Sequence, residues 1–288
     1  MEIRTTELGE LQALMKEELK GLYPERELGS IIKGIFSHLT GLSAAQLVME
    51  KERKLNEAEI FYLQRALRRL KDQEPLQYVT GVAHFHGMEF KVDKRVLIPR
   101  PETEELVQWV FEEMSGQEGF RALDVGTGSG CIAVSLKKNL PSAEVYAIDV
   151  SAEALALAGE NADSLGVDIK FKQLDIMKEE GRGQLPAFDI IVSNPPYVTL
   201  EDKERMLPNV IDYEPALALF VEDDPLAFYR AIVDFSQTNL NPGGSLFFEC
   251  NENYTDLVLE LMRHKGYHNL QAREDLQGKK RMVFGTRL

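Results

Sequence analysis

The chain has 288 residues, 44% of them hydrophobic, with two cysteines and a formal net charge of −14. That length supplies a large α/β domain and a small second one with their own cores, and two distant cysteines exclude a disulfide-stapled scaffold. Residues 1–80 hold 12 Lys and Arg against 13 Asp and Glu, so residues 81–288, at 21 against 34, carry 13 of the 14 net negative charges; phosphate neutralisation drives nucleic-acid binding, which argues against free nucleic acid as a partner of the larger segment.

The N-terminus has no positive region followed by an apolar run, and no window is long and apolar enough to span a bilayer, so a cytoplasmic protein without membrane contact is expected. Leu8, Leu11, Leu14 and Met15 form one amphipathic stripe, and Ile31, Ile32, Ile35, Phe36 and Leu39 another, with Gly21, Pro24 and Gly41 between and after them. Asn56 and Glu59 have the spacing of a capping box ahead of Ile60, Leu63, Leu67 and Leu70, and Pro75 stops the run. Residues 1–75 therefore read as a small helical domain, either a scaffold or a substrate-docking module.

Residues 76–101 read as a linker carrying a β-hairpin: Met88 to Val92 and Arg95 to Ile98 are short extended runs with Asp93-Lys94 at the bend. Pro101-Glu102-Thr103-Glu104 then opens a helix whose acidic residues suit its N-terminal dipole, and residues 102–288 form the main domain. Strands are predicted at Ala122–Val125, Val145–Ile148, Ile169–Phe171, Phe188–Val192, Ser245–Phe248, Asn269–Arg273 and Arg281–Phe284, with helical patterns such as Ala152 to Leu165 and Leu226 to Leu240 separating the first five. This alternation predicts an α/β fold with a mostly parallel, Rossmann-like sheet and an antiparallel C-terminal hairpin on its edge.

Gly126-Thr127-Gly128-Ser129-Gly130 follows an apolar strand and runs into a helix, the context in which glycines let the backbone approach a ligand at a helix N-terminus. Asp149 ends the next strand, 19 residues after Gly130, where a carboxylate can accept ribose hydroxyls. An adenosine-containing cofactor is expected. A dinucleotide fingerprint would need Gly or Ala where Cys131 stands, and the observed G-x-G-x-G resembles motif I of class I methyltransferases, whose cofactor is S-adenosyl-L-methionine. That resemblance implies that Asp175 meets the adenine amino group and Ile176 its ring.

The strand from Phe188 empties into Ser193-Asn194-Pro195-Pro196-Tyr197, and two prolines cannot continue a central strand. The segment leaves the sheet at its carboxyl edge, where α/β proteins bind ligands. The Asn194 side-chain oxygen and the Pro195 carbonyl can each accept one hydrogen of an NH2 group, Pro196 holds that carbonyl outward, and Tyr197 can cover a flat group. The expected chemistry is methylation of a planar nitrogen.

Pro75-Leu-Gln-Tyr78-Val-Thr-Gly81, Phe85-His-Gly87, Leu97-Ile-Pro99-Arg100-Pro101-Glu102-Thr103-Glu104, the Gly126 turn, Asn194-Pro-Pro-Tyr197 and Tyr213-Glu-Pro215-Ala-Leu217 occur in that order. The set resembles the HemK-type protein-(glutamine-N5) methyltransferases of peptide chain release factors over nearly the full chain. The resemblance implies a class I methyltransferase fold, a Gly-Gly-Gln loop of a release factor as substrate, and recognition of that factor by both domains. Ribosomal-protein glutamine methyltransferases share Asn-Pro-Pro-Tyr, but the Arg100-Pro-Glu-Thr-Glu104 segment favours the release-factor branch. Amino-group methyltransferases of DNA or RNA present the same NH2 geometry and stand as the other alternative.

Some residues are assigned outside the chemistry. The five histidines have no partners at recurrent ligand spacing, so no metal is expected, and Trp109, Cys131 and Cys250 read as core. Arg100 is expected either to pair with Glu102 or Glu104 or to meet cofactor or substrate, and Glu214 to tie a loop over the site.

Overall fold

Local capping chemistry starts the helix after Asn56 where the sequence places it. In the computed structural model, which describes residues 5–199, 203, 208–221 and 224–288, Glu59 N–H donates to Asn56 Oδ1 at 3.0 Å and Asn56 N–H donates to Glu59 Oε2 at 2.7 Å. This reciprocal pair satisfies two of the free N–H groups of a helix end. The chain divides into two compact units, Met1–Val82 with Pro208–Tyr213, and Ala83–Leu207 with Glu214–Leu288.

The first unit is helical: α1 (Leu8–Glu18), α2 (Glu25–Thr40), α3 (Ala44–Met49), α4 (Glu57–Lys71) and α5 (Leu76–Thr80). Leu8, Leu11, Met15, Ile31, Ile35, Phe36, Leu63, Leu67 and Leu70 share its core, so the two predicted stripes and the Asn56 helix bury the expected faces except at Leu14, which lies outside that core. The helix α5, which the sequence reading put in the linker, packs within this unit through Val79 and Leu76. The segment Pro208–Tyr213 joins it from far along the chain, and Tyr213 Oη donates to the Asp72 carbonyl at 2.7 Å.

The hairpin is real but displaced. Its strands are β1 (Val82–Phe85) and β2 (Met88–Lys91), turning at His86 and Gly87, and Arg95–Ile98 is not a strand. A two-residue hairpin loop of this hand needs positive φ at both central positions, and His86 and Gly87 adopt 48° and 71°. At Asp93 the side chain instead accepts from Arg95 N–H at 3.0 Å, a local turn that diverts the backbone from further pairing.

The second unit continues with α6 (Pro101–Glu113), which starts on a proline whose missing N–H costs nothing at a helix N-terminus. Then come β3 (Arg121–Val125), α7 (Cys131–Asn139), β4 (Glu144–Asp149), α8 (Ala152–Leu165), β5 (Lys170–Gln173) and β6 (Phe188–Ser193). The strands β7 (Leu240–Glu249), β8 (Tyr267–Glu274) and β9 (Lys280–Arg287) complete a seven-stranded sheet of order β5-β4-β3-β6-β7-β9-β8. The pairs β4–β5, β3–β4, β3–β6 and β6–β7 are parallel, whereas β9 runs antiparallel to both β7 and β8. The predicted terminal hairpin is therefore present, with β8 at the edge.

Apolar residues on both faces of the strands feed two cores. One gathers Leu106, Trp109, Val110, Ile132, Leu136, Val192 and Phe247, and the other Leu123, Ile148, Ile191, Tyr229, Val233 and Phe248. Trp109 is 1% exposed and meets Phe247 edge-on at 5.8 Å, and both cysteines are free and buried. The strand order reverses between β3 and β6, with Val125 in register with Ser193, so the two segments leaving these strands emerge side by side. Such a switch point opens a crevice at the carboxyl edge of the sheet.

Candidate active site

The crevice holds a cavity of about 460 Å3 bounded by the ends of four parallel strands. Val125 comes from the end of β3, Gly126 and Gly128 from the turn after it, Ile148 and Asp149 from β4, Asp175 and Ile176 from the turn after β5, and Asn194, Pro195 and Pro196 from the segment after β6. The sequence-predicted residues Gly126, Gly128, Asp149, Asp175, Ile176, Asn194, Pro195 and Pro196 thus come together around one space. Thr127, Ser129, Gly130 and Tyr197 do not line it.

The backbone of the turn is shaped for close approach. Gly126 and Gly128 have φ of 74° and 53°, and a Cβ built on either would have no atom within 4 Å, so the turn lies open on that side. Asp149 Oδ2 accepts from Gly128 N–H at 2.9 Å and Oδ1 from Ser151 N–H at 2.9 Å. Each carboxylate oxygen keeps lone-pair capacity for a further donor. Burial raises the Asp149 pKa, with the bonds from Ser151 and Gly128 opposing it. Asp175 Oδ1 accepts from Met177 N–H at 3.0 Å, which places its carboxylate at the turn that ends β5.

Three supports of the turn escaped the sequence reading. Asp124 is fully buried; its Oδ2 accepts from Thr127 Oγ1 at 2.6 Å and Ala133 N–H at 3.2 Å, while Oδ1 has no partner among the described residues. Burial pushes its pKa up to about 7 against those two bonds. Asn161 on α8 donates to the carbonyls of Ser129, at 2.9 Å, and Lys91, at 3.0 Å, and accepts from Lys91 N–H at 2.7 Å, so it ties the hairpin to the glycine turn. Nothing in a helical pattern marks such a residue, because its partners are backbone atoms distant in sequence. The third is Ser193, whose Oγ donates to the Val125 carbonyl at 2.7 Å and locks the two emerging segments together.

The proline-rich segment is held from two sides. Val198 N–H donates to the Leu219 carbonyl at 3.1 Å and Val221 N–H to the Val198 carbonyl at 2.9 Å, which pins the chain after Tyr197 to the segment following Pro215. Asn194 Nδ2 donates to Thr103 Oγ1 at 3.1 Å, and Thr103 Oγ1 donates to Glu249 Oε2 at 2.6 Å. Thr103 stands in the first turn of α6 and Glu249 at the end of β7. A charged residue closing an apolar strand at the ligand-binding edge was the signal available for Glu249. Tyr197 is half-buried against the core that contains Tyr229, and burial drives its phenol pKa upward, with Glu249 adding to the rise and Arg281 opposing it. Its phenol stays protonated at neutral pH.

Arg100 pairs with neither Glu102 nor Glu104. Its Nη2 donates to Glu214 Oε1 at 2.6 Å, and Glu214 Oε2 accepts from Ile98 N–H at 3.2 Å. The Glu104 carboxylate is turned to the hairpin, where Oε1 accepts from His86 N–H at 3.0 Å. Arg95–Leu97, expected in a strand, instead form one wall of the cavity together with Lys94 from the expected bend, and Pro215, Leu217 and Ala218 contribute to another.

The methyltransferase small domain family matches residues 103–212, and the PrmC N-terminal domain family matches residues 10–81. The release factor glutamine methyltransferase of Flavobacterium psychrophilum is 43% identical over 271 residues, 93% of this chain and 94% of that protein. Its counterpart in Bacteroides thetaiotaomicron is 41% identical over 281 residues, 97% of this chain and 100% of that protein. Among solved structures, a methyltransferase from Pyrococcus furiosus aligns with a TM-score of 0.52 at 17% identity, over 70% of this chain and 89% of that one, a likeness of fold.

Proposed function

The chain belongs to the release factor glutamine methyltransferases, and from that premise we propose that it methylates the side-chain amide nitrogen of the glutamine in a Gly-Gly-Gln loop of a peptide chain release factor, using S-adenosyl-L-methionine. The observation that carries this reading is the meeting of Asn194 and Pro195 with Gly126, Gly128 and Asp149 around one cavity.

The residues present fit the cofactor. Open backbone at Gly126 and Gly128 admits its methionine portion, the Asp149 carboxylate has capacity for ribose hydroxyls, and Ile148 and Ile176 offer apolar surface to an adenine ring next to Asp175. When bound, S-adenosyl-L-methionine supplies a methyl group activated by its sulfonium.

The protein's own part is orientation. An amide nitrogen is a weak nucleophile because its lone pair is delocalised, so the rate depends on how it is held. Asn194 Oδ1 and the Pro195 carbonyl accept the two hydrogens of the glutamine carboxamide, which directs the nitrogen lone pair at the methyl carbon and stabilises positive charge developing on nitrogen. No general base is needed before transfer, since the proton becomes acidic only as the N–C bond forms. The apolar walls exclude water from the reacting atoms.

The 13 net negative charges of residues 81–288 oppose phosphate, which sets this reading above amino-group methylation of DNA or RNA. Incubation with labelled S-adenosyl-L-methionine and a purified release factor, followed by mass spectrometry, is expected to place one methyl group on the Gly-Gly-Gln glutamine. Labelling of a ribosomal protein or of nucleic acid, with none on the release factor, overturns the substrate.

A further inference from the structure

We infer that Glu249, acting through Thr103, sets which way the Asn194 carboxamide faces and thereby makes Asn194 an acceptor toward the substrate nitrogen. Glu249 is a positioning residue in this sense, and the inference rests on the reading of Asn194 given above.

Donor and acceptor counts fix the orientation of the Asn194 carboxamide. A carboxylate has no hydrogen to give, and a threonine hydroxyl has one hydrogen and two lone pairs. At 2.6 Å from Glu249 Oε2, Thr103 must spend its single hydrogen on that oxygen, so it offers only a lone pair to Asn194. The group of Asn194 able to meet a lone pair is its NH2, which is the atom found at 3.1 Å. With Nδ2 engaged, and no donor to Oδ1 among the described residues, Oδ1 is left for a donor, and the substrate amide brings two. Reversal of the chain would turn the Asn194 NH2 toward the substrate NH2, donor against donor.

The chain is built into the core. Thr103 is 3% exposed and Glu249 2%, and they lie 146 residues apart in sequence. Tyr229 Oη donates to the Glu249 carbonyl at 3.1 Å and holds the end of β7 in place. A buried carboxylate is costly unless its bonds serve something, and a structural core here could be apolar.

Protonation of Glu249 is the natural way to reverse the chain, because a carboxyl group can donate to Thr103. Burial raises the Glu249 pKa to about 7, against the Thr103 bond; Glu102 adds to the rise, while Arg281 and Arg100 oppose it. Burial pushes Cys131 up to about 12 and raises Cys250, Tyr197 and Tyr229, so these keep their protons near neutrality, while burial lowers Arg281 but Tyr197 and Asp275 raise it overall. Asp124 is raised to about 7 as well, so the comparison that isolates Glu249 is wild type against Glu249→Gln.

The test combines turnover with a signal that needs no substrate. Thr103→Val is expected to lower kcat on the order of 10²-fold, with cofactor affinity unchanged, because a misdirected acceptor acts at the reacting nitrogen. Thr103→Ser, which keeps the hydroxyl, is expected to recover most of it. The acid limb of the wild-type kcat profile should be absent in Glu249→Gln. In asparagine-labelled full-length protein, the Asn194 side-chain NH2 signals, assigned by their loss in Asn194→Ala, should titrate near neutrality and cease to do so in Glu249→Gln. Equal turnover in Thr103→Val and wild type, equal losses in Thr103→Val and Thr103→Ser, or an unchanged titration in Glu249→Gln overturns the inference. Methylation of some other substrate than the release factor bears on the function alone, because the Asn194 signals report on the chain in either case.

Discussion

Arg100 and Glu214 meet at 2.6 Å although 114 residues separate them, and the Glu214 carboxylate is 1% exposed while Arg100 keeps about a third of its surface in solvent. The pair joins the segment leading into α6 to the segment that carries Pro215, Leu217 and Ala218 on the cavity wall. Removal of the arginine leaves the buried carboxylate, among the described residues, with the Ile98 N–H as its hydrogen-bond donor.

Arg100→Ala is therefore expected to cost about 2 kcal/mol, below the figure for a fully buried pair because solvent screens the exposed guanidinium. Thermal unfolding with and without S-adenosyl-L-methionine measures it, and Arg100→Ala/Glu214→Gln should recover part of the loss. An unfolding midpoint equal to wild type in Arg100→Ala would mean that the pair contributes nothing to the wall.

Asp149→Ala is expected to weaken S-adenosyl-L-methionine about tenfold or more, since charge-assisted hydrogen bonds contribute roughly 1.5–3 kcal/mol. The variant also removes the acceptor for Gly128 N–H and loosens the turn. Calorimetric titration of the folded variant decides it, and unchanged affinity removes Asp149 from the cofactor site.

Asn194→Ala is expected to lower turnover on the order of 10²-fold or more, through loss of the acceptor that aligns the amide nitrogen. The fold should persist, because the residue lies in a segment fixed by Ser193 and Val198 on either side. Single-turnover rates at saturating cofactor separate this from a binding defect. A near-wild-type rate assigns the alignment to another group.

Asp124 and Glu249 rise from ordinary carboxyl values to about 7, burial being the largest cause for each. Between their unfolded and folded values the native state binds protons that the unfolded chain has released, so stability falls as pH rises across that window. The contribution is complete below the unfolded values and lost as pH passes about 7. Unfolding midpoints followed from about pH 5 to about pH 8 should decline in wild type and flatten in Asp124→Asn and in Glu249→Gln. A decline of the same slope in both variants would show that other groups carry the dependence.

Much of the second unit was legible because its signals are local. The Gly126 turn follows an apolar strand, Asn194 to Tyr197 follows another, and a parallel sheet must place both segments at one edge. The hairpin was displaced for a local reason as well: the short extended runs on either side of Asp93-Lys94 suggested paired strands, but φ at His86 and Gly87 decided where the chain turns. Tyr197 had the chemistry of a substrate-facing ring, and only packing revealed that it leans on the core beside Tyr229 and leaves the cavity lining to its neighbours.

The sequence by itself determined the class of fold, the glycine turn after β3 and the proline-rich segment after β6, because glycine conformation, proline geometry and strand alternation act over a few residues. Tertiary structure decided which polar groups hold that motif in place. Thr103 and Glu249, Arg100 and Glu214, and Asn161 with Ser129 are bonds between residues 32 to 146 apart. A carboxylate or amide of this kind has the same composition signal as any surface residue, and its partner is chosen when helix and sheet pack and every buried donor must find an acceptor.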